Sequence, residues 1–223
     1  AQTEWWQQRV LPVWIDGDWS QLSEFSARNC TAASTAGHGV HSNAAARCSL
    51  RCMYVIYTSG TTGVPKGVMV HDGRVLKRFL WLQHSREFSS QSRVQRTLSI
   101  AFDAAAFESF PVLLARGTLI LPSFSPADVV AMSSNLRRHC VSHTVIVPAL
   151  LRAFMDVIGD THHHRSHFPQ LRVVTSGGEA LPLDSVTDFH RRLPRVTMTN
   201  SYGPAEASIF VTSAALTPAS IAT

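Results

Sequence analysis

The chain has 223 residues with a formal net charge of +5 at pH 7, and 45% of its residues are hydrophobic. This apolar content predicts a packed core and argues against a disordered chain. No apolar run approaches the roughly 18 residues that a membrane-spanning helix needs, so we expect no membrane partner. The first residues lack a basic region followed by an apolar one, so we expect no signal peptide. With only four cysteines, the chain is expected to be a reduced, cytoplasmic protein.

The first 51 residues differ in character from the rest of the chain. Residues 10–15 predict a strand, whereas residues 26–51 contain no acid and only two large aliphatic side chains. Such a stretch cannot bury enough apolar surface to offset its ordering entropy, so we expect a loop or a disordered segment there. We therefore divide the chain into a divergent amino-terminal segment, 1–51, and a core, 52–223.

From residue 52 onward, strand-like and helix-like patterns alternate. Strands are predicted at 52–58, 67–70, 94–100, 117–121, 143–147, 171–176, 195–199 and 209–213. Helices are predicted at 72–86, 104–116, 126–139, 148–158 and 182–192. This alternation predicts an α/β fold with a mostly parallel sheet flanked by helices, whose ligands lie beyond the carboxyl ends of the strands.

Much of the excess positive charge lies between Gly67 and Thr97, where six basic residues accompany two acids. In the predicted helix 72–86, one apolar face is formed by Val75, Phe79 and Leu82. The basic side chains of the helix fall mostly on its other faces, and they are Arg74, Lys77, Arg78 and Arg86. Aromatic residues are not interleaved with them as base stacking requires. The pattern therefore predicts a solvated helix face and no nucleic-acid partner.

A glycine- and hydroxyl-rich loop follows the first core strand, and its sequence from Thr58 to Gly67 is TSGTTGVPKG. Three glycines allow backbone N–H groups to converge on an anion, four hydroxyls can donate to phosphate oxygens, and Lys66 adds a positive charge. Pro65 precedes the lysine and a strand follows it, so this is not a Walker A loop, which opens a helix. A plain hairpin loop is the alternative.

The run YTSGTTGVPKGV resembles the phosphate loop of the adenylate-forming superfamily, which includes acyl-CoA synthetases, luciferases and the adenylation domains of nonribosomal peptide synthetases. Two later segments carry the same resemblance. Residues 200–206, NSYGPAE, are similar to the superfamily's N-x-Y-G-P-T-E segment, with Ala205 in place of the threonine. Residues 175–181, TSGGEAL, are similar to a segment whose glycines pass close to nucleotide and substrate.

The resemblance implies ATP as a ligand, with Tyr202 stacked on adenine and Glu206 helping to hold Mg²⁺. Ala205 lacks a hydroxyl that contacts the α-phosphate in the family, a loss of about 1.5–3 kcal/mol. Taken alone, the tyrosine segment could be an ordinary Gly-Pro turn. The implied ATP-binding residues are Thr58, Ser59, Gly60, Thr61, Thr62, Gly63, Lys66, Gly177, Gly178, Glu179, Asn200, Tyr202, Gly203 and Ala205.

Residues 101–108, AFDAAAFE, resemble the F-D-A-x-x-x-[FW]-E segment of amino-acid-activating domains, in which the aspartate pairs with the α-ammonium of the substrate. Asp103 holds that position here. A carboxylate at the base of an apolar pocket needs a cationic partner to offset its desolvation, and a free amino acid supplies one. Because an aspartate before three alanines is also a good helix N-cap, the spacing alone leaves both roles open.

The resemblance also implies a pocket for the side chain of the substrate. Its residues would be Asp103, Ala104, Phe107, Val145, Val174, Ser176, Ser201, Ile209 and Phe210. The set is mostly apolar, with two hydroxyls and no charge besides Asp103, so it predicts a neutral amino acid.

The resemblance covers residues from about 52 to 213 and implies a partial large N-terminal subdomain of the adenylate-forming fold. No segment matches the small C-terminal domain with its catalytic lysine, so we identify no catalytic residue and expect little activity from the chain alone. The implied product is aminoacyl-AMP, then a thioester on the phosphopantetheine of a carrier protein that works with condensation domains. The alternatives are an acyl- or aryl-CoA ligase of the same superfamily and a non-catalytic remnant or scaffold.

Overall fold

The computed structural model describes residues 51–59, 63–85, 88–159 and 168–217. All of them belong to one compact unit of the chain. The predicted strand 10–15 and nearly all of the predicted loop 26–51 lie outside the described residues. Three residues of the glycine-rich loop, 60–62, also lie outside them.

The described core begins with an antiparallel hairpin of two strands, β1 (Cys52–Thr58) and β2 (Lys66–His71). Its register pairs Thr58 with Lys66 and Ile56 with Val68. The second strand follows the glycine-rich loop directly, which confirms that this loop joins two strands and does not open a helix.

The main sheet has six strands in the order β4-β3-β5-β6-β7-β8. The strands are β3 (Arg93–Gln95), β4 (Thr118–Ile120), β5 (His143–Val145), β6 (Val173–Gly177), β7 (Thr197–Tyr202) and β8 (Thr212–Leu216). All neighbouring pairs are parallel except β7 and β8, which are antiparallel. The predicted α/β class with a mostly parallel sheet is therefore confirmed.

In the part of the chain that the structure describes, five helices connect the strands, as predicted. They are α1 (Asp72–Ser85), α2 (Ala104–Leu114), α3 (Val129–Arg138), α4 (Pro148–Ile158) and α5 (Leu183–Arg192). Local chemistry sets the starts of two of these helices. Before α3, the side chain of Asp128 accepts a hydrogen bond from the Ala131 N–H at 2.9 Å, and Pro148 occupies the first turn of α4. No helix in the described part of the chain is long and apolar enough to cross a bilayer.

Most predicted strand limits differ from the observed ones, and in two strands a specific interaction explains the difference. The strand predicted at 94–100 ends at Gln95, because the N–H groups of Thr97 and Leu98 bond to the carboxylate of Glu108 and not to a neighbouring strand. The strand predicted at 209–213 begins only at Thr212, because residues 205–207 form a 3₁₀ turn and Ser208 and Ile209 have positive φ angles of 65° and 79°.

Two hydrophobic clusters hold the core together. The first includes Leu151, Phe154, Phe189 and Met198, which link α4 and α5 to the sheet. The second joins the hairpin, α1 and α2 to residues 209 and 210. The side chains that were predicted to form the apolar face of α1 are all buried in this second cluster: Val75, Phe79 and Leu82.

Candidate functional site

A cavity of about 400 Å³ opens where β5 and β6 end, which is the edge at which parallel α/β sheets bind ligands. Its walls come from the loop after β3, the start of α2, the ends of β5, β6 and β7, and the segment before β8. Apolar side chains supply most of the walls, among them Leu98, Phe102, Phe107, Val145, Val147, Ile209 and Phe210. We call this space the substrate cavity.

The structure brings eight of the nine predicted pocket residues to this cavity: Asp103, Ala104, Phe107, Val145, Ser176, Ser201, Ile209 and Phe210. The ninth, Val174, is an exception. It is fully buried in the first hydrophobic cluster, two residues before Ser176 on β6. Side chains two apart on a strand share a face, but only the one nearer the carboxyl end reaches the cavity. The prediction for Val174 is therefore not supported.

Asp103 supplies the carboxylate of the substrate cavity. It precedes α2 with helical backbone angles (φ −61°, ψ −29°), and its side chain makes no capping hydrogen bond. Among the described residues its buried Oδ2 atom has no hydrogen-bond partner. Burial raises the pKa of Asp103, the N–H groups of Ala104 and Ile209 act against this, and the charge of Glu206 raises it further. A buried oxygen without a partner fits an incoming cation better than a helix cap.

The glycine segment after β6 also reaches the substrate cavity, through Gly177, Gly178 and Glu179. Gly178 has φ +91° and open space where a Cβ would stand, so its backbone can approach a ligand closely. A Cβ at Gly177 would instead overlap the carbonyl oxygen of Ser201, so this glycine is needed for strand packing. Glu179 accepts a hydrogen bond at 2.8 Å from the N–H of Ala149 at the start of α4.

The remaining residues of the predicted ATP set lie at different places. Gly203 lines the substrate cavity, and Tyr202 beside it is 67% exposed, as a stacking surface must be. Asn200 lies within β7, paired with Ser176 and Ala214, and does not line the cavity. Ala205 begins the 3₁₀ turn. At the turn end of the hairpin, the described members of the predicted phosphate-binding set are Thr58, Ser59, Gly63 and Lys66, and Gly60, Thr61 and Thr62 are outside the described residues.

Glu206 is the residue that the resemblance assigns to Mg²⁺. It is exposed on the 3₁₀ turn, and the part of the chain that the structure describes holds no group of three His, Cys, Asp or Glu side chains that could bind a metal. A single carboxylate still suits Mg²⁺, which proteins often bind through one or two carboxylates together with water and substrate phosphates. The donor set therefore fits a cation that arrives with its nucleotide.

Sequence reasoning missed the role of Glu108, which is 2% exposed within the apolar helix α2. Its carboxylate accepts hydrogen bonds from the Thr97 N–H (3.0 Å), the Thr97 hydroxyl (2.6 Å) and the Leu98 N–H (2.9 Å). The Thr97 hydroxyl also lies 2.9 Å from the carbonyl oxygen of Val145. Burial raises the pKa of Glu108 to about 7, although these hydrogen bonds act to lower it. Glu108 thus ties α2 to the loop after β3, and a lone acid in an apolar helix was the signal for it.

Tyr54 on β1 was also missed. Its buried hydroxyl has no partner among the described residues. Burial raises the pKa of Tyr54, the charge of Asp103 adds to this, and the charge of Arg78 opposes it. The hairpin therefore brings a second unpaired polar group into the electrostatic surroundings of Asp103.

Comparison with known proteins gives a family match over almost the whole chain. The model of the AMP-binding enzyme family matches residues 7–222. Tyrocidine synthase 3 of Brevibacillus parabrevis is 37% identical over 160 residues, which make up 71% of this chain and 2% of that protein. The chain thus spans only a few per cent of the length of this relative.

Solved structures share the fold. The nonribosomal peptide synthetase FmoA3 has a TM-score of 0.67 at 23% identity, over 74% of this chain and 17% of that one. The Vibrio cholerae adenylation domain AlmE, solved in complex with glycyl-adenosine-5′-phosphate, has a TM-score of 0.65 at 23% identity, over 74% of this chain and 30% of that one.

Proposed function

Because the chain belongs to the AMP-binding enzyme family, we propose that it is part of a domain that activates a neutral amino acid with ATP. The products are aminoacyl-AMP and pyrophosphate. The observation that carries this proposal is Asp103, a carboxylate with a buried, unpartnered oxygen at the edge of an apolar cavity. An α-ammonium group supplies the missing partner, whereas a fatty or aryl acid does not.

The walls of the substrate cavity support a neutral side chain. Apart from Asp103, the only charged residue among the described residues that line the cavity is Glu179, which already accepts a hydrogen bond from the start of α4. A lysine or arginine side chain would find no further buried acid among the described lining residues, and an acidic one would meet no base. Apolar walls and a volume of about 400 Å³ favour an aliphatic or aromatic amino acid.

In the proposed reaction, a carboxylate oxygen of the amino acid attacks the α-phosphorus of ATP, and the bond to pyrophosphate breaks. Asp103 holds the ammonium group and so fixes the position of the carboxylate. The open backbone at Gly178 allows close approach of the nucleotide, and Lys66 places a positive charge at the phosphate loop. Mg²⁺, held by Glu206 and by phosphate oxygens, would neutralise phosphate charge.

The fate of the product is also part of the proposal. The thiol of a carrier-bound phosphopantetheine attacks the acyl carbon, AMP leaves, and the aminoacyl thioester passes on to condensation domains. Similarity to tyrocidine synthase 3 supports this. We place the reaction in the cytoplasm.

Matched ligands test the proposal. Isothermal titration calorimetry would compare leucine with 4-methylpentanoate, which is the same acid without the amine, in the presence of Mg²⁺ and a non-hydrolysable ATP analogue. We expect leucine or another neutral amino acid to bind, and Asp103→Ala to weaken it by about 10- to 100-fold, the value of one charge-assisted hydrogen bond. The variant should leave binding of the amine-free acid unchanged.

Three results would contradict the proposal. Preference for 4-methylpentanoate over leucine would favour the acyl-CoA ligase, and strongest binding of Lys, Arg, Asp or Glu would exclude a neutral substrate. If no Mg²⁺–nucleotide binds at all, the chain is better described as a non-catalytic scaffold.

A further inference from the structure

A second cavity, of about 900 Å³, lies on the other side of the segment that precedes β8. One of its walls is a face of α1 formed by Arg74, Lys77, Arg78 and Trp81. These residues are spaced i, i+3, i+4 and i+7, so they share one side of the helix. The sequence predicted a solvated basic face here, and Arg74 and Lys77 are exposed in the structure. The same face borders an open cavity, which we call the basic cavity.

The opposite wall of the basic cavity consists of residues 206–208 and 210–213. Its one acid, Glu206, faces three bases from α1, so the lining has a net positive charge. Arg78 is held in place, since its Nη2 donates to the carbonyl oxygen of Ala207 at 3.0 Å and its guanidinium lies 5.4 Å from the centre of the Phe210 ring. Arg74 and Lys77 form no ion pair with any described residue. Glu206 is the one acid among the described residues that line the cavity beside these two charges.

The basic cavity adjoins the substrate cavity. Phe210 lines both cavities, and its ring packs edge-on against Phe107 on the substrate side and lies 5.8 Å from Trp81 on the basic side. The hydroxyls of Ser201, in the substrate cavity, and Ser213, in the basic cavity, are hydrogen-bonded at 2.8 Å. A charged group bound in the basic cavity would therefore lie one residue layer away from the activated substrate.

We propose that the basic cavity is a binding site for phosphoryl groups, distinct from the phosphate loop. Cations on a helix face, hydroxyls opposite them and partial exposure suit a phosphate better than a carboxylate ligand, because phosphate offers more acceptor oxygens to several donors. Two molecules of the proposed reaction could supply such a phosphoryl group, and naming them rests on the proposed function. They are the pyrophosphate released from ATP and the phosphate of the phosphopantetheine arm.

Isothermal titration calorimetry on the full 223-residue chain would test the site with pyrophosphate and with 4′-phosphopantetheine, and pantetheine would be the phosphate-free control. We expect at least one phosphorylated ligand to bind and pantetheine not to bind. Arg74→Ala combined with Lys77→Ala should weaken binding at least about tenfold, because two cations next to the ligand are lost. The double variant Arg74→Lys with Lys77→Arg keeps both positive charges, so it should bind the phosphorylated ligand as tightly as the unchanged chain. Arg152→Ala on the exposed face of α4 is the matched control and should have no effect.

Which of the two phosphorylated ligands binds shows where the phosphoryl group comes from. Binding of either one that depends on Arg74 and Lys77 supports the proposed phosphate site. Equal affinity for pantetheine, an affinity for the phosphorylated ligands that the double alanine variant leaves unchanged, or absence of binding by both phosphorylated ligands would overturn the proposal. The replaced side chains are exposed, so the variants should fold, which circular dichroism would verify. Failure of the chain to bind Mg²⁺–ATP or amino acids would contradict the proposed function but leave a phosphate site that depends on Arg74 and Lys77 intact.

Discussion

At the scale of single residues, the protonation of Asp103 should govern amino-acid binding. Burial raises its pKa, and the ammonium of a ligand needs the ionised form. As pH falls toward that raised pKa, the carboxyl gains a proton and loses its attraction for the cation. We therefore expect the affinity for leucine to be lower at pH 4.5 than at pH 7, as measured by calorimetry. Asp103→Asn should bind weakly at both pH values, and a variant that kept the wild-type pH profile would contradict this role.

Ala205 is the second residue-scale feature, since it replaces a threonine of the resembled segment at the start of the 3₁₀ turn. Restoring the hydroxyl with Ala205→Thr should tighten Mg²⁺–ATP binding by about tenfold or more, the worth of one hydrogen bond to a charged group. Ala205→Val has nearly the same shape without the hydroxyl and is the control. Equal affinities of the threonine and valine variants, in the same titration, would show that the missing hydroxyl has no effect.

At the scale of elements, Glu108 links α2 to the loop after β3. Its folded pKa of about 7 exceeds the ordinary value of 4.5, so its contribution to stability is fully present below pH 4.5 and is lost as pH rises through 7. The loss is on the order of 3 kcal/mol, which corresponds to the difference between a pKa of about 7 and the ordinary 4.5. Thermal unfolding at pH 5 and pH 8 would measure it.

Glu108→Gln provides the test of that assignment. The amide cannot ionise, so the difference in the free energy of unfolding between pH 5 and pH 8 should shrink by about 3 kcal/mol. Asp156→Asn, an exposed change on α4, is the control for a general loss of acidic charge and should leave the difference unchanged. An unaltered pH dependence in Glu108→Gln would place the titrating group elsewhere.

The pairing of β6 with β7 gives another element-scale prediction. A Cβ at Gly177 would overlap the backbone of Ser201 on the partner strand, and backbone cannot move aside as a side-chain tip can. Gly177→Ala should therefore destabilise the fold by about 1–3 kcal/mol in denaturant unfolding. Gly67→Ala on the hairpin meets only side-chain atoms of Val55 and Tyr57, at 3.2 and 3.4 Å, and should cost less. If Gly67→Ala destabilised the fold more than Gly177→Ala, the strands β6 and β7 would have to separate easily.

At the scale of the whole molecule, the first hydrophobic cluster should dominate stability. Leu151 is completely buried in it, and truncation to alanine leaves a cavity that costs about 2–5 kcal/mol. Leu183 at the start of α5 is 61% exposed, so Leu183→Ala should cost about 0.5 kcal/mol or less. Urea unfolding of both variants would measure the difference, and similar losses would contradict the assignment of the core.

Local patterns made much of the fold predictable. Apolar periodicity located all five helices, and the glycine loop between two β-rich runs indicated the hairpin, because both signals depend on residues close together in the chain. The end of β3 was mispredicted because the competing hydrogen bonds come from helix α2, and the start of β8 because of the backbone turn just before it. Glu108 captures the N–H groups of Thr97 and Leu98, and positive φ angles at Ser208 and Ile209 delay β8.

Spacing and residue type were enough to predict the α/β class and the hairpin around the glycine-rich loop, whereas the pocket role of Asp103 came from a family resemblance. Three further features depend on the tertiary structure: among the described residues, Val174 packs into the core, Asp103 Oδ2 is buried without a partner, and the basic face of α1 lines a cavity. The physical reason is that burial depends on which distant segments pack together. Phe210, which separates the two cavities, acquires that position only when α1, α2 and the turn before β8 meet around it.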